Sequence, residues 1–251
     1  MGDASSGKTS RRVEVDLEVL RAMGLIHPNV PHTEIAEEFR RIKQPLFREE
    51  MPESRPGSEH SNLIMVTSAI AGEGKTFTAI NLAMIIAMEK DRTALLVDSD
   101  VVKRGVSRIF GLEEEKGLTD LIREGETIVP DVLVRTNVPK LCVLPAGQQD
   151  PHYAELFAST TMRWLTEELS LRYPDRVVIF DAPPILATTA TSTLADLVDK
   201  IVFVVVAGQT SQESIREAVQ LLGSSKPIGI VLNKFRTIKR AKYLYEERRT
   251  S

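Results

Sequence analysis

The sequence predicts an α/β fold, a mostly parallel sheet with helices on both faces. Three observations carry this. From residue 62 onward, short near-continuous apolar runs alternate with helical stretches, the pattern of buried parallel strands. One of those runs, "LIMV" at 63–66, leads into a glycine-rich loop ending Gly74-Lys75-Thr76. Three aspartates, Asp98, Asp100 and Asp181, stand just past the ends of other runs, where ligands of open α/β sheets collect.

The elements follow in chain order. Residues 1–12 are rich in Ser, Gly, Asp and Lys and read as a disordered terminus. "VEVDLEVLRAMGLI" (13–26) is a short amphipathic segment stopped by the proline-bearing "HPNVP". Thr33 is the N-cap candidate of a helix predicted over 33–50, with acids early and bases later, as the helix dipole prefers. The Pro, Ser, Gly and charge of "MPESRPGSEHS" (51–61) mark a linker. Residues 1–61 are thus a terminus, helical extension and linker ahead of a main domain at 62–234. Strands are expected at Leu63–Thr67, Thr93–Val97, Leu141–Leu144, Val177–Phe180, Ile201–Val206 and Ile228–Leu232. Helices are expected between them at about 75–89, 117–124, 153–172, 190–197 and 211–222. Residues 235–251 form a charged, flexible C-terminal tail.

Composition narrows the function classes. At 251 residues, 42% hydrophobic and 27% charged, the chain reads as a soluble globular protein with a substantial core. A net charge of −3 gives no argument for nucleic-acid binding. The single cysteine, Cys142, excludes an intramolecular disulfide and suits a reducing, cytoplasmic setting, where it reads as a small buried apolar residue. No signal peptide is expected, and no stretch approaches the ~18 apolar residues of a membrane span. Membrane contact is therefore expected to be at most peripheral at the inner membrane, or through a partner.

Two segments compete as phosphate loop. "GDASSGKTS" fits the strict pattern from Gly2 to Thr9, yet no strand delivers it and no apolar helix follows. "SAIAGEGKT" has Ala69 where the first glycine belongs, but it has both flanks. Phe77, Ile80, Ala83, Met84 and Ala87 recur behind it at helical spacing. Alanine is tolerated at the first position if its φ stays negative. Residues 69–76 are the phosphate loop, and the fold is of the P-loop NTPase type. Lys75 is placed to reach the β- and γ-phosphates and Thr76 to ligate Mg²⁺. Asp98, Asp100 and Asp181 are hard oxygen donors of the kind that cation needs. Taken singly, each aspartate could equally be a cap or a turn residue.

At this level a family resemblance becomes specific. "AIAGEGKT", "LLVDSD" and "VVIFDAPP" resemble the Walker A, A′ and B motifs of bacterial protein-tyrosine kinases, and "KGLTDLI", "VLPAGQQDPHYAELFAS" and "GIVLNK" extend the likeness over roughly 30–234. Within that family the chain looks closest to the autokinases of exopolysaccharide loci with exosortase systems. The resemblance implies ATP and Mg²⁺ as cofactors. It implies ATP binding by Ala71, Gly72, Glu73, Gly74, Lys75, Thr76 and Phe77, with Asn233 at the adenine edge. Thr76, Asp100 and Asp181 would organise Mg²⁺. Lys75, Asp98 and Asp100 would be catalytic, with Asp98 as base or orienter for a tyrosine hydroxyl. The phosphoacceptors would be Tyr243 and Tyr245. Glu37, Arg40 and Lys43, close to the family's E-x-x-R-x-x-R pattern, would form an oligomer interface. The partners implied are further copies of the chain and a membrane-bound polysaccharide co-polymerase that activates it.

The chain departs from the pattern in places. Val102 stands where the family has an arginine, with Lys103 and Arg104 following. Those cations either serve the phosphates from a shifted position or face solvent. The helix bearing Glu37 is either an interface or a solvated face, and Lys43 lacks the bidentate fork of arginine. The tail has two tyrosines, Tyr243 and Tyr245, where the family has several; it is an acceptor or an amphipathic packing segment. Tyr153 and Tyr173 read as structural residues within helical segments. His27, His32, His60 and His152 share no zinc spacing. Met84, Met88 and Trp164 read as core. The favoured function is an ATP-dependent protein-tyrosine autokinase regulating exopolysaccharide biosynthesis or export. The alternatives are a MinD/ParA-like positioning ATPase and a nucleotide-binding scaffold without kinase activity. Against the ATPase stands Ile70, where those enzymes carry an extra lysine.

Overall fold

The computed structural model describes residues 11–47, 62–125, 129–172, 175–223 and 225–235. The first phosphate-loop match at 2–9, the 51–61 linker, Tyr173 and the tail tyrosines lie outside these residues.

The chain opens with β1 (Arg12–Val13), α1 (Leu17–Ala22) and α2 (Glu34–Lys43), followed by a 3₁₀ turn at Gln44–Phe47. Then β2 (Leu63–Ser68) runs through the phosphate loop into α3 (Lys75–Ala87), and β3 (Thr93–Asp98) into α4 (Gly105–Ile109). Next come α5 (Leu118–Glu124), α6 (Val129–Val132), β4 (Val134–Thr136) and β5 (Leu141–Leu144). The chain continues through α7 (Tyr153–Phe157), α8 (Thr160–Leu171) and β6 (Arg176–Asp181). It closes with α9 (Thr189–Leu197), β7 (Lys200–Val206), α10 (Gln212–Leu222) and β8 (Ile228–Asn233).

The eight strands of the described residues form one sheet in the order β1-β4-β5-β3-β6-β2-β7-β8. Every pairing is parallel except β4 with β5. Along β2 the side chains alternate between two cores. Leu63 and Met65 face a cluster holding Phe157, Phe180 and Phe203, while Ile64 and Val66 face one built on α3. A strand buried on both faces must be apolar at every position, which is why the sequence shows runs rather than alternation there.

The second core explains the N-terminal segment. Amphipathic α2 buries Ala36 and Phe39 against α3, and the Phe39 and Phe77 rings meet edge-on with centroids 6.3 Å apart. Burial of a phenylalanine side chain contributes about 2–3 kcal/mol. The Ile26 N–H donates to Asn81 Oδ1 at 2.7 Å, and Lys200 Nζ donates to the Leu46 carbonyl at 2.5 Å. Residues 11–47 are therefore packed onto the P-loop helix and the base of β7.

All six predicted strands are present, each within a residue or two of its expected ends. Several other expectations need correction. Arg12 is not disordered but pairs in register with Arg135. The helix expected over 33–50 ends at Lys43, because Pro45 has no N–H for the Arg41 carbonyl and starts a tighter turn. The helix expected over 153–172 is two helices. Ser159 accepts from the Met162 N–H at 3.2 Å and starts α8 anew. Trp164 is not core: it is 56% exposed on the outer face of α8. Met84 is fully buried and Met88 half-buried. Short α4, α6 and β4 had no expectation at all.

Candidate functional site

The central strands β3, β6 and β2 end side by side, and their tips build the site. Beyond β2 the loop turns through Gly72 and Gly74 at φ +85° and +96°, values that L side chains rarely adopt. At Gly74 a Cβ atom would also lie 2.1 Å from Asn233 Nδ2. Ala69 is buried and is not among the residues at positive φ, so alanine is admissible where the strict motif has glycine. Ala71 and Gly72 are exposed. The first turn of α3 leaves the N–H groups of Lys75, Thr76 and Phe77 without intrahelical acceptors, at the positive end of the helix dipole. The Phe77 ring itself packs toward Phe39, away from the loop's open side.

The loop is braced from neighbouring strands. Glu73 is buried and accepts from the Ile70 N–H at 2.8 Å and from the Thr210 hydroxyl, beyond β7. Asn233 Nδ2 donates to the Glu73 carbonyl at 2.8 Å, and Lys234 Nζ to the Gly72 carbonyl at 3.1 Å. Asn233, expected at an adenine edge, is thus engaged with the loop backbone in this state.

Lys75 is 5% exposed. Burial pushes its ammonium down from the usual lysine range, and the charges of Asp181 and then Asp100 push it back up. Thr76 Oγ1 donates to Asp181 Oδ2 at 2.7 Å. Asp98 and Asp181 are register partners across β3 and β6. The strand tips are joined further by Ser99, whose hydroxyl donates to the Asp181 carbonyl at 2.8 Å. Asp98 Oδ2 accepts from the Ser107 N–H at 2.7 Å and the Ser107 hydroxyl at 2.8 Å. Burial nonetheless raises the Asp98 carboxyl to about 6, with Ser107 opposing. Asp181 is held well above the ordinary carboxylate range, by burial first and then by the neighbouring Asp98 charge. Asp100 is nearly buried and caps its own turn, Oδ1 accepting from the Lys103 N–H at 3.1 Å.

The second oxygens of Asp98 and Asp181 are buried without a hydrogen-bond partner among the described residues. Such orphaned acceptors are costly, and a hard cation satisfies them. Among the described residues no group of three or more His, Cys, Asp or Glu forms a metal cage. A cation such as Mg²⁺ keeps water and takes phosphate oxygens, and needs one or two carboxylates.

Reasoning from sequence alone missed three contributors. Ser107 holds Asp98, and Thr210 holds Glu73. Gly105 leaves room for Thr76, since a Cβ there would sit 2.9 Å from Thr76 Oγ1. The Ser107 contact with Asp98 spans nine residues and the Thr210 contact with Glu73 spans 137, and a lone serine, threonine or glycine outside a motif gives no signal. The two cations after Val102 divide. Arg104 donates to the Glu113 carbonyl at 2.8 Å and the Gly147 carbonyl at 3.4 Å, away from the loop. Lys103 lies close enough to lower Lys75 electrostatically. On α2, Glu37 pairs with Arg40, and Lys43 pairs with Glu89 at the end of the P-loop helix. Tyr153 donates its hydroxyl to Thr188 Oγ1 at 3.1 Å, a structural contact.

Comparison with known proteins agrees with this geometry. Residues 64–251 match the CobQ/CobB/MinD/ParA nucleotide-binding domain. The tyrosine-protein kinase YwqD of Bacillus subtilis is 35% identical over 184 residues, spanning 72% of this chain and 76% of that protein. The putative tyrosine-protein kinase CapB of Staphylococcus aureus is 33% identical over 86% of this chain and 91% of its own length. Among solved structures the VpsO kinase domain aligns at a TM-score of 0.67 and 27% identity, over 87% of this chain and 98% of that one. A plasmid partition protein of Borrelia burgdorferi, at 21% identity and a TM-score of 0.53, shares the fold. Strand-tip aspartates around a P-loop, in a chain this similar to named tyrosine kinases, place it in the bacterial protein-tyrosine kinase family.

Proposed function

We propose that the chain is an ATP-dependent protein-tyrosine autokinase acting in exopolysaccharide synthesis or export. One observation carries the reading. Lys75, Thr76, Asp98 and Asp181 converge at three adjacent strand tips, with two buried carboxylate oxygens left open. The phosphates would lie on the α3 N-terminus and Lys75. Mg²⁺, held by Thr76, Asp100 and Asp181, would neutralise charge developing on the transferred phosphoryl group. Asp98, raised to about 6, would take the proton of an incoming tyrosine hydroxyl at neutral pH. Asn233 would act on the nucleotide through the loop it braces, and Phe77 through its backbone N–H in the first turn of α3. Tyr243 and Tyr245 would be the acceptors, and Glu37, Arg40 and Lys43 would contribute to contacts between copies.

The polysaccharide context rests on relatives. The succinoglycan biosynthesis transport protein ExoP of Rhizobium meliloti is 32% identical over 92% of this chain, which spans only 29% of ExoP. The activating partner would be a membrane-bound polysaccharide co-polymerase. No helix among the described residues is long and apolar enough to cross a membrane.

A positioning ATPase is the competing reading, since partition proteins share the fold. The position of their additional loop lysine is Ile70 here, 45% exposed with its N–H held by Glu73. Incubation with Mg·ATP separates the two. Phosphotyrosine that drops at least about a thousandfold in Lys75→Met, and mostly disappears in the Tyr243→Phe/Tyr245→Phe double variant, supports the autokinase. Phosphate release without phosphotyrosine supports the ATPase, and labelling undiminished in the double variant removes those acceptors.

A further inference from the structure

At the other end of the sheet, below the amino ends of β3, β5 and β6, lies a cavity of about 350 Å³. Its walls include Pro130, Leu133 and Val138, and its charged lining is Arg135, Lys140 and Arg176. No Asp or Glu lines it among the described residues. The Lys140 ammonium donates to the Glu89 and Lys90 carbonyls, which leaves its charge in place. Arg135 has no ion-pair partner among the described residues; its register neighbour Arg12 pairs with Glu14 instead. The charges of Arg176 and Arg135 both act on the Cys142 thiol in the cavity wall, against the upward push of burial. Both arginines line the same cavity, near the thiol in its wall.

We propose that this cavity binds a small oxyanion, a carboxylate or a phosphate carried on an apolar body. Like charges gathered around a half-enclosed, low-dielectric space raise the local concentration of anions. Guanidinium groups suit the planar or tetrahedral oxygens of such anions. The volume lies at the lower end of the ~300–1,000 Å³ typical of small-molecule sites, and the aliphatic wall accommodates the apolar part. The site is remote from the phosphate loop and does not depend on the kinase reading.

Cys142 is the only cysteine in the chain, so its reaction rate reports this cavity alone. In the full chain, the rate with dianionic dithiobis-nitrobenzoate is divided by the rate with neutral dithiodipyridine and normalised to a free thiol. The expected ratio is about tenfold above the free-thiol value and falls severalfold in Arg135→Gln. Benzoate and phenyl phosphate should each slow the neutral reagent saturably. The arm that acts at the lower concentration identifies the anion preferred. Protection should persist in Lys75→Met, which removes the phosphate-loop cation. A ratio equal to the free thiol's, no change in Arg135→Gln, no protection by either anion, or a thiol inert to both reagents would each overturn the proposal.

Discussion

The two ends of the sheet solve charge burial in opposite ways. At the carboxyl end, one lysine and three aspartates are buried together, and each aspartate accepts a hydrogen bond: Asp98 from Ser107, Asp181 from Thr76, Asp100 from its own turn. At the amino end, three cations surround a cavity that no acid lines among the described residues. The first arrangement keeps its geometry without a ligand, at the cost of raised carboxyl pKa values. The second gathers its cations around open space, which an anion would occupy. Preorganisation of this first kind is what phosphoryl transfer asks for, since it depends on positioning rather than on covalent chemistry by the protein.

The comparison can be broken at three points, in descending size of effect. Gly74→Ala should weaken Mg·ADP binding by about a hundredfold, because the added Cβ meets Asn233 at 2.1 Å and φ is +96°. Titration with a fluorescent nucleotide measures this, and a loss below about threefold would mean that the loop is not preorganised.

Asp98→Asn tests the stored charge. The folded carboxyl titrates near 6 against an ordinary 3.8, so the folded chain holds that proton more tightly than the unfolded one. The associated stability is fully present below the unfolded value and is lost as pH rises through the folded one. At roughly 1.4 kcal/mol per unit, the ligand-free protein gives up about 3 kcal/mol across that window. Asp98→Asn should recover up to about 3 kcal/mol in urea melts near about pH 8 and almost nothing near about pH 4, while abolishing phosphotyrosine formation. An asparagine variant no more stable than wild type at the higher pH would show that the Asp98 charge is already compensated.

The smallest effect is expected from Arg135→Gln, which alters the amino end alone. Distant sites with no shared partner are independent within a few tenths of a kcal/mol, so Mg·ADP affinity should stay within about twofold. A larger change would show that the two ends are coupled through β3 and β6.

Much of this was legible in the sequence because the relevant signals are local. Buried strands β2 and β7 carry unbroken apolar runs at Leu63–Val66 and Ile201–Val206, and such a run marks its own strand. Thr33 before "EIAEEF" marks the start of α2, and its Oγ1 accepts from the Ala36 N–H at 3.2 Å. The end of α2 was misjudged although Pro45 was visible, because amphipathic periodicity outweighed a single backbone constraint. Trp164 was misjudged because residue type was taken for burial; α8 buries Met162, Leu165 and Leu169 and turns the indole outward. The site was half legible. Lys75, Thr76 and the three aspartates stand in short motifs, whereas Ser107, Thr210 and Gly105 matter only through folded contacts that no motif marks.

The sequence by itself determined the order of strands and helices, the loop that can cradle a phosphate and the carboxylates available to face it. Those are properties of adjacent residues, since hydrophobic period and backbone freedom act over a few positions. Tertiary structure alone decided that Asp98 and Asp181 lie side by side with one oxygen each left open. It also decided that Glu73 is clamped from β7 and that Arg135, Lys140 and Arg176 surround one cavity. Strand order in a sheet is set by long-range packing of both faces, and no local pattern encodes which strand tips become neighbours.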